Sequence, residues 1–145
     1  MKICPICGWE GDLFLPCNPN YADDESRQLA RHCKCPQCHS HHRHRGVQLI
    51  LQQCQLPRAD SRMLHIAPEN FLTTYFAQKT SKYIKIDKHP ENYPSTTVTE
   101  MDLTQLSFAD DSFDFVFCSH VLEHIPDDRK AMREIYRVFA PQGIA

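Results

Sequence analysis

The chain has 145 residues, 16 Lys and Arg against 18 Asp and Glu, and a formal net charge of −2. That length suits one ordinary domain, or a small module joined to part of a larger one, and the near-neutral balance argues against a chain-wide electrostatic grip on nucleic acid. No apolar run approaches the ~18–20 residues that span a bilayer, and the start MKICPICGWE lacks the apolar centre of a signal peptide, so a cytoplasmic, membrane-free protein is expected.

In such a compartment eight cysteines read as thiols or metal ligands rather than as a disulfide framework. Six of them lie in residues 1–38, and five of the nine histidines lie between positions 32 and 44. CPIC (4–7) and CPQC (35–38) are two Cys-x-x-Cys knuckles separated by 27 residues. Together they can place Cys4, Cys7, Cys35 and Cys38 around one tetrahedral Zn²⁺, each two-residue spacer forming a tight turn that aims both sulfurs inward. Four thiolates leave no open position for water, so the expected zinc is structural: it holds together a segment too small for a core of its own. A redox pair is the competing reading, but neither knuckle has a thioredoxin-like strand-helix context. Cys33 and His39 also stand beside the second knuckle, and spacing leaves open whether either replaces a cysteine ligand. Cys17, Cys33 and the histidines otherwise read as packed or solvated neighbours.

HHRHR (41–45) has two permanent charges, Arg43 and Arg45, and no interleaved aromatic for base stacking. It reads as a surface turn, and nucleic acid is disfavoured as a partner. GVQLILQQCQL (46–56) has a helical period, with Val47, Ile50, Leu51 and Cys54 on one side. PRADSR (57–62) punctuates the chain before the texture changes. The expected organisation is a zinc-ribbon-like module at 1–45, a connecting helix and linker at 46–61, and an α/β domain at 62–145.

In that second half, MLHIA (63–67) reads as a strand and NFLTTYFAQK (70–79) as a helix with Phe71, Leu72, Tyr75 and Phe76 on one face. KYIKID (82–87) and TTVTEMD (96–102) read as strands ending in Asp87 and Asp102, and FDFVFC (113–118) as a strand buried on both faces. DDRKAMREIYRVFA (127–140) is an amphipathic helix with Met132, Ile135, Tyr136 and Phe139 as its apolar face. Alternating strands and helices imply a parallel sheet with right-handed crossovers, whose ligands bind beyond the carboxyl ends of the strands. That rule brings 67–70, Asp87, Asp102 and 118–120 toward one crevice, with Asp87 placed for ribose hydroxyls and Asp102 for an adenine amino group.

The segment LTQLSFADDSFDFVFCSHVLEHIPDDRKAMREIYRVFAPQG resembles the central part of class I S-adenosylmethionine-dependent methyltransferases of the small-molecule type. The resemblance covers roughly residues 62–143 and is strongest over 102–143. It implies a Rossmann-like, doubly wound sheet of which this chain carries a part, in strand order 3-2-1-4, with S-adenosylmethionine as cofactor. Residue by residue, it implies that Asp87 holds the ribose, that Asp102 with Leu103 faces adenine, and that Ser119 and His120 lie beside the methionine part and the acceptor. Glu123 and His124 complete the same turn, with helix-entry packing as their expected role.

Two departures from the family pattern stand out. LHIAPE replaces a glycine-rich loop, so that His65 takes the place of an acid, while Ala67 and Glu69 take glycine places. A glycine cradle serves pyrophosphate, whereas S-adenosylmethionine has no phosphate and is cationic; Glu69 is therefore expected to face its amino group. The sequence also ends at Ala145, where a fifth strand would begin, so the fourth strand is expected to present an open apolar edge for a partner or a second copy. The leading expectation is a methyltransferase, incomplete as it stands, that acts on a small-molecule acceptor with His120 as general base. The rival is a non-catalytic zinc-binding interaction module built on a degraded methyltransferase fold.

Overall fold

The structure, a computed structural model, describes residues 1–18, 32–80, 82–94 and 97–145. The chain divides into two units, Met1–Leu56 and Pro57–Ala145.

The first unit is built on two copies of one turn. In the first, Gly8 N–H donates to Cys4 O at 2.9 Å and Cys4 N–H to Trp9 O at 2.8 Å. In the second, His39 N–H donates to Cys35 O at 3.0 Å and Cys35 N–H to Ser40 O at 2.9 Å. The fifth residue of each copy is left-handed, Gly8 at φ 73° and His39 at φ 60°. A short antiparallel hairpin, β1 (Lys2–Ile3) with β2 (Glu10–Gly11), encloses the first copy. A bridge between Leu15 and Lys34 lies beside the second.

Helix α1 (His42–Gln53) starts four residues before the expected 46, so the HHRHR cluster forms its first turn rather than a surface loop. Its buried face is also not the expected one. His44, Arg45, Gln48 and Leu51 are buried, while Leu49 and Ile50 are exposed. The reason is polar docking: an Arg45 Nη1–H donates to Ser40 O at 2.7 Å, and a Gln48 Nε2–H donates to Pro5 O at 3.1 Å. The helix thereby holds one carbonyl of each turn. Arg45 also stacks over the Phe14 ring at 3.8 Å and is 7% exposed, so it is not available to a phosphate.

The second unit is a five-stranded sheet in the order β5 (Thr99–Glu100), β4 (Lys82–Asp87), β3 (Arg62–Ile66), β6 (Phe113–Cys118), β7 (Phe139–Ile144). Every pairing is parallel. This is the expected α/β, Rossmann-like architecture, and β5-β4-β3-β6 reproduces the expected order 3-2-1-4. The third strand is much shorter than 96–102, and Thr96 lies outside the described residues.

The open edge is corrected. β7 runs beside β6, with Phe113 opposite Phe139 and Phe115 opposite Ile144 across an irregular register. Pro141 and Gly143 read as stop signals in the sequence. A proline is nevertheless tolerated on an edge strand at a register shift, because no neighbour needs its missing N–H. Gly143 fits because a Cβ there would lie 2.9 Å from Asp114 O.

Side chains cover the sheet on both faces. On one, Leu64, Ile66, Ile86 and Val116 pack with Leu103, Leu106, Ala131 and Val138. On the other, helix α2 (Asn70–Lys79) lays Leu72, Tyr75 and Phe76 down, and the Phe76 ring meets His65, Tyr83, Phe115 and Phe117. Helix α3 (Asp128–Val138) is capped by Asp127, whose Oδ1 accepts from Lys130 N–H at 2.9 Å. Its buried residues are Ala131 and Val138, with Ile135 partly buried between them; Met132 and Tyr136, expected inside, are exposed. Two ion pairs tie the elements: Arg62 grips Asp114 through Nε (2.9 Å) and Nη2 (2.7 Å), and Arg137 joins Glu134 and Asp110.

Candidate functional site

A cleft of about 590 Å³ opens beyond the carboxyl ends of β3, β4, β5 and β6. The position follows from the topology: parallel strands stop together, and the loops that leave them diverge to opposite faces. Of the expected site residues, Ala67, Asp87, Asp102, Leu103 and His120 line it. His65, Glu69 and Ser119 are not among the lining residues.

Asp87 ends β4. Its Oδ1 accepts from His89 N–H and its Oδ2 from Tyr93 O–H, both at 2.7 Å. Burial, reinforced by the Asp87 carboxylate, raises the Tyr93 hydroxyl well above its ordinary pKa, so it stays a donor. Asp102 stands across the cleft. Its Oδ1 accepts from the Thr104 N–H (2.8 Å) and hydroxyl (2.7 Å), and its Oδ2 faces Lys88 Nζ at 3.0 Å. The Thr104 N–H, the Thr104 hydroxyl and then Lys88 hold this carboxyl down at about 2, ionised throughout the neutral range. A carboxylate has about four lone-pair sites, so each acid retains capacity to accept from a ligand.

Ala67 leaves β3 in a left-handed conformation, φ 51°, while its N–H donates to Ile86 O at 2.9 Å. His120 is also left-handed, φ 54°, and its Nδ1 lies 3.2 Å from Glu123 Oε1. Glu123 belongs to a 3-10 turn, Leu122–His124, and His124 lines the cleft. Cys118 ends β6 nearby, but burial pushes its thiol up to about 11, which leaves it protonated and a poor nucleophile.

His65 has a different place. It is fully buried on the α2 face, its ring edge-on to Phe76 and Phe117, with Nδ1 2.7 Å from the Tyr83 hydroxyl. Its Nε2 has no hydrogen-bond partner among the described residues. Burial pulls its pKa down to about 4, so it packs as a neutral ring. Glu69 precedes α2, where its carbonyl accepts from Leu72 N–H and Thr73 N–H.

Sequence reasoning missed Lys88, Tyr93 and Thr104. Thr104 carried a local signal, since an aspartate commonly bonds the backbone two residues on. Tyr93 carried none, because its reach to Asp87 depends on the fold of the intervening 3-10 turn at Pro90–Asn92.

In the first unit, Cys4, Cys7, Cys35 and Cys38 bring their four sulfurs within 4.8 Å of one another. Two of the separations are 3.8 Å (Cys4 to Cys38) and 3.7 Å (Cys7 to Cys35). A tetrahedron with Zn–S bonds of ~2.3 Å has edges of ~3.8 Å, so the four sulfurs fit such an ion. His39 takes no part in this group; it is the left-handed residue of the second turn. Cys33 is also outside it and is disulfide-bonded to Cys17.

Comparison with known proteins gives the following. A family model described as a methyltransferase domain matches residues 59–145. A demethylmenaquinone methyltransferase from Streptomyces avermitilis is 42% identical over 53 residues, 37% of this chain and 23% of that protein. The YcgJ protein from Bacillus subtilis superposes with a TM-score of 0.55 at 26% identity, over 69% of this chain and 48% of that one. A protein of Methanococcus maripaludis described as a candidate S-adenosyl-L-methionine-dependent methyltransferase gives a TM-score of 0.52 at 16% identity, over 68% of this chain and 52% of that one. The chain thus spans about half the length of these solved structures, and less of the curated relative.

Proposed function

The chain belongs to the methyltransferase-domain family, and on that footing we propose that its second unit binds S-adenosylmethionine in the cleft and serves methyl transfer to a small-molecule acceptor. The observation that supports this most is the pairing of two carboxylates, Asp87 and Asp102, across a single cleft at the strand ends. The cleft's volume is in the range of nucleoside-sized sites. The residues fit the cofactor: acceptors face donors, and the local charge suits a cation.

In this reading Asp87 accepts from the ribose hydroxyls, held in place by Tyr93. Asp102 accepts from the adenine amino group, and Leu103 covers the ring. Lys88 competes for the same Asp102 oxygen, so binding includes a small rearrangement of that lysine. When bound, the cofactor supplies an electrophilic methyl group. The chain's own work is then positioning and exclusion of water, with no universal catalytic residue required. His120 would accept the acceptor's proton on Nε2, while Glu123 orients the ring through Nδ1.

In the first unit, the four thiolates hold a structural Zn²⁺. It has no open coordination position and takes no step in the reaction.

Calorimetry tests the cofactor assignment. S-adenosylmethionine is expected to bind the wild-type chain and to bind Asp87→Ala at least tenfold more weakly, as for a lost hydrogen bond to a charged group of about 1.5–3 kcal/mol. His120→Gln should leave that affinity unchanged. Absence of binding to the wild type, or binding indifferent to Asp87, overturns the reading.

A further inference from the structure

Outside the four-thiolate group, a second set of metal-binding side chains gathers at the start of α1. Leu15 N–H donates to Lys34 O at 2.8 Å and Cys33 N–H donates to Leu15 O at 3.0 Å, which draws Cys17 to a Cα separation of 5.4 Å from Cys33. His41, immediately before α1, places Nδ1 4.0 Å from the Cys17 sulfur and 3.9 Å from the Cys33 sulfur. A ring nitrogen of His42, the first residue of α1, lies with both sulfurs inside a 4.8 Å group. Two cysteines and two adjacent histidines thus converge from three stretches of chain.

We propose that Cys17, Cys33, His41 and His42 form a second Zn²⁺ site when the cysteine pair is reduced. Two sulfurs and two imidazole nitrogens are a standard tetrahedral donor set for this ion. Bonds of ~2.3 Å to sulfur and ~2.0–2.1 Å to nitrogen put sulfur and nitrogen ~3.6 Å apart. The His41 separations need to close by only a few tenths of an ångström to meet that value.

The composition of the unit gives a separate reason. Among the described residues of Met1–Leu56, the buried set is Cys4, Cys33, Cys35 and Leu51 with the polar Ser40, His44, Arg45 and Gln48. So few aliphatic groups supply little hydrophobic stabilisation, and small domains of this kind depend on cross-links. The four-thiolate ion ties residues 4–7 to 35–38 and leaves the stretch around Leu15 and Cys17 unattached. A second ion would tie that stretch to the start of α1.

The disulfide is the metal-free, oxidised form of the same pair. Converting it takes two electrons and two protons from a dithiol reductant, which becomes a disulfide in turn. Zn²⁺ then replaces the two thiol protons, and both histidines bind as neutral imidazoles.

The test is metal stoichiometry in the full chain, purified without oxygen in the presence of a dithiol and Zn²⁺. Native mass spectrometry and elemental analysis are expected to find two zinc ions per chain. The Cys17→Ser/Cys33→Ser double variant and the His41→Ala/His42→Ala double variant should each retain one. Should these variants fail to fold, Co²⁺ titration of the wild type decides. It is expected to show two sites, the one with two thiolates giving about half the sulfur-to-metal charge-transfer absorption of the one with four. A single metal ion in the reduced wild type, or two that survive the Cys17/Cys33 substitutions, overturns the proposal. Neither readout involves S-adenosylmethionine, so failure here is distinct from failure of the methyl-transfer reading.

Discussion

The two units bury different chemistry. In Pro57–Ala145 the interior is aliphatic and aromatic, with Leu64, Ile66, Ile86, Val116 and Phe76 spread over two faces of a parallel sheet. In Met1–Leu56 it is sulfur, hydroxyl, guanidinium and amide, arranged around two repeated turns. The first interior draws on many small contributions proportional to buried area. The second depends on a few donor atoms that must all reach one point. Substitutions should therefore act by degrees in the sheet unit and all at once in the ribbon unit.

The sharpest way to break that contrast is to compare Cys35→Ser with Leu64→Ala. Zinc binding to small folds carries apparent free energies of about 10–16 kcal/mol, and loss of one thiolate forfeits most of the site. Cys35→Ser, or a strong chelator, should erase amide protection throughout residues 1–56 in hydrogen-exchange mass spectrometry. Leu64→Ala should cost about 2–5 kcal/mol, read as a lower denaturant midpoint of a unit that still folds. Retained protection in the first unit without metal would remove the distinction.

A second test lies where the sheet unit departs from its own rule, at His65. This imidazole is buried among aromatic rings with a folded pKa of about 4, below its ordinary 6.5. The unfolded chain therefore takes up a proton between pH 6.5 and 4 that the folded chain refuses. Stability is full above 6.5 and falls as the pH drops through that window, by up to about 1.4 kcal/mol per unit and about 3 kcal/mol in all. His65→Phe keeps a ring among Phe76, Phe117 and Tyr83 without the titration. Its denaturant midpoint should fall less steeply than the wild type's between pH 6.5 and 4.5; parallel slopes would assign the acid sensitivity elsewhere.

The same contrast decides what could be read in the sequence. The knuckles were legible because a Cys-x-x-Cys turn is local, and β4 and β6 because their apolar runs are bounded by turn residues. The face of α3 was misassigned because size was taken for burial. Ala131, Ile135 and Val138 also fall at helical spacing, and the small Ala131 sits against the sheet while Tyr136 is out in water. α1 could not be oriented by hydrophobic period at all, since what it buries, Arg45 and Gln48, is there to reach carbonyls of the two turns. β7 was hidden behind Pro141 and Gly143, residues that end most strands but not an edge strand with a broken register. Asp87 and Asp102 were placed by topology, whereas Tyr93 and Lys88, which fix their directions, become visible only once the loops are folded.

The smallest expected effects test the backbone instead of the interior, one position in each unit. Ala67 and His39 both hold positive φ, where a Cβ is strained and glycine is not. Against that relief stands the extra freedom glycine gives the unfolded chain, about 0.4–1 kcal/mol. Ala67→Gly should accordingly be neutral to stabilising by about 1 kcal/mol, a shift of a few degrees in the melting midpoint. His39→Gly should behave alike if its work is to shape the second turn as Gly8 shapes the first. The reverse change, Gly8→Ala, should destabilise the first turn although no atom would lie within 4 Å of the new Cβ. Should His39→Gly lower zinc content while Gly8→Ala does not, His39 would act on the metal site itself, and the equivalence of the two turns would fail on the chemical side while holding for the backbone.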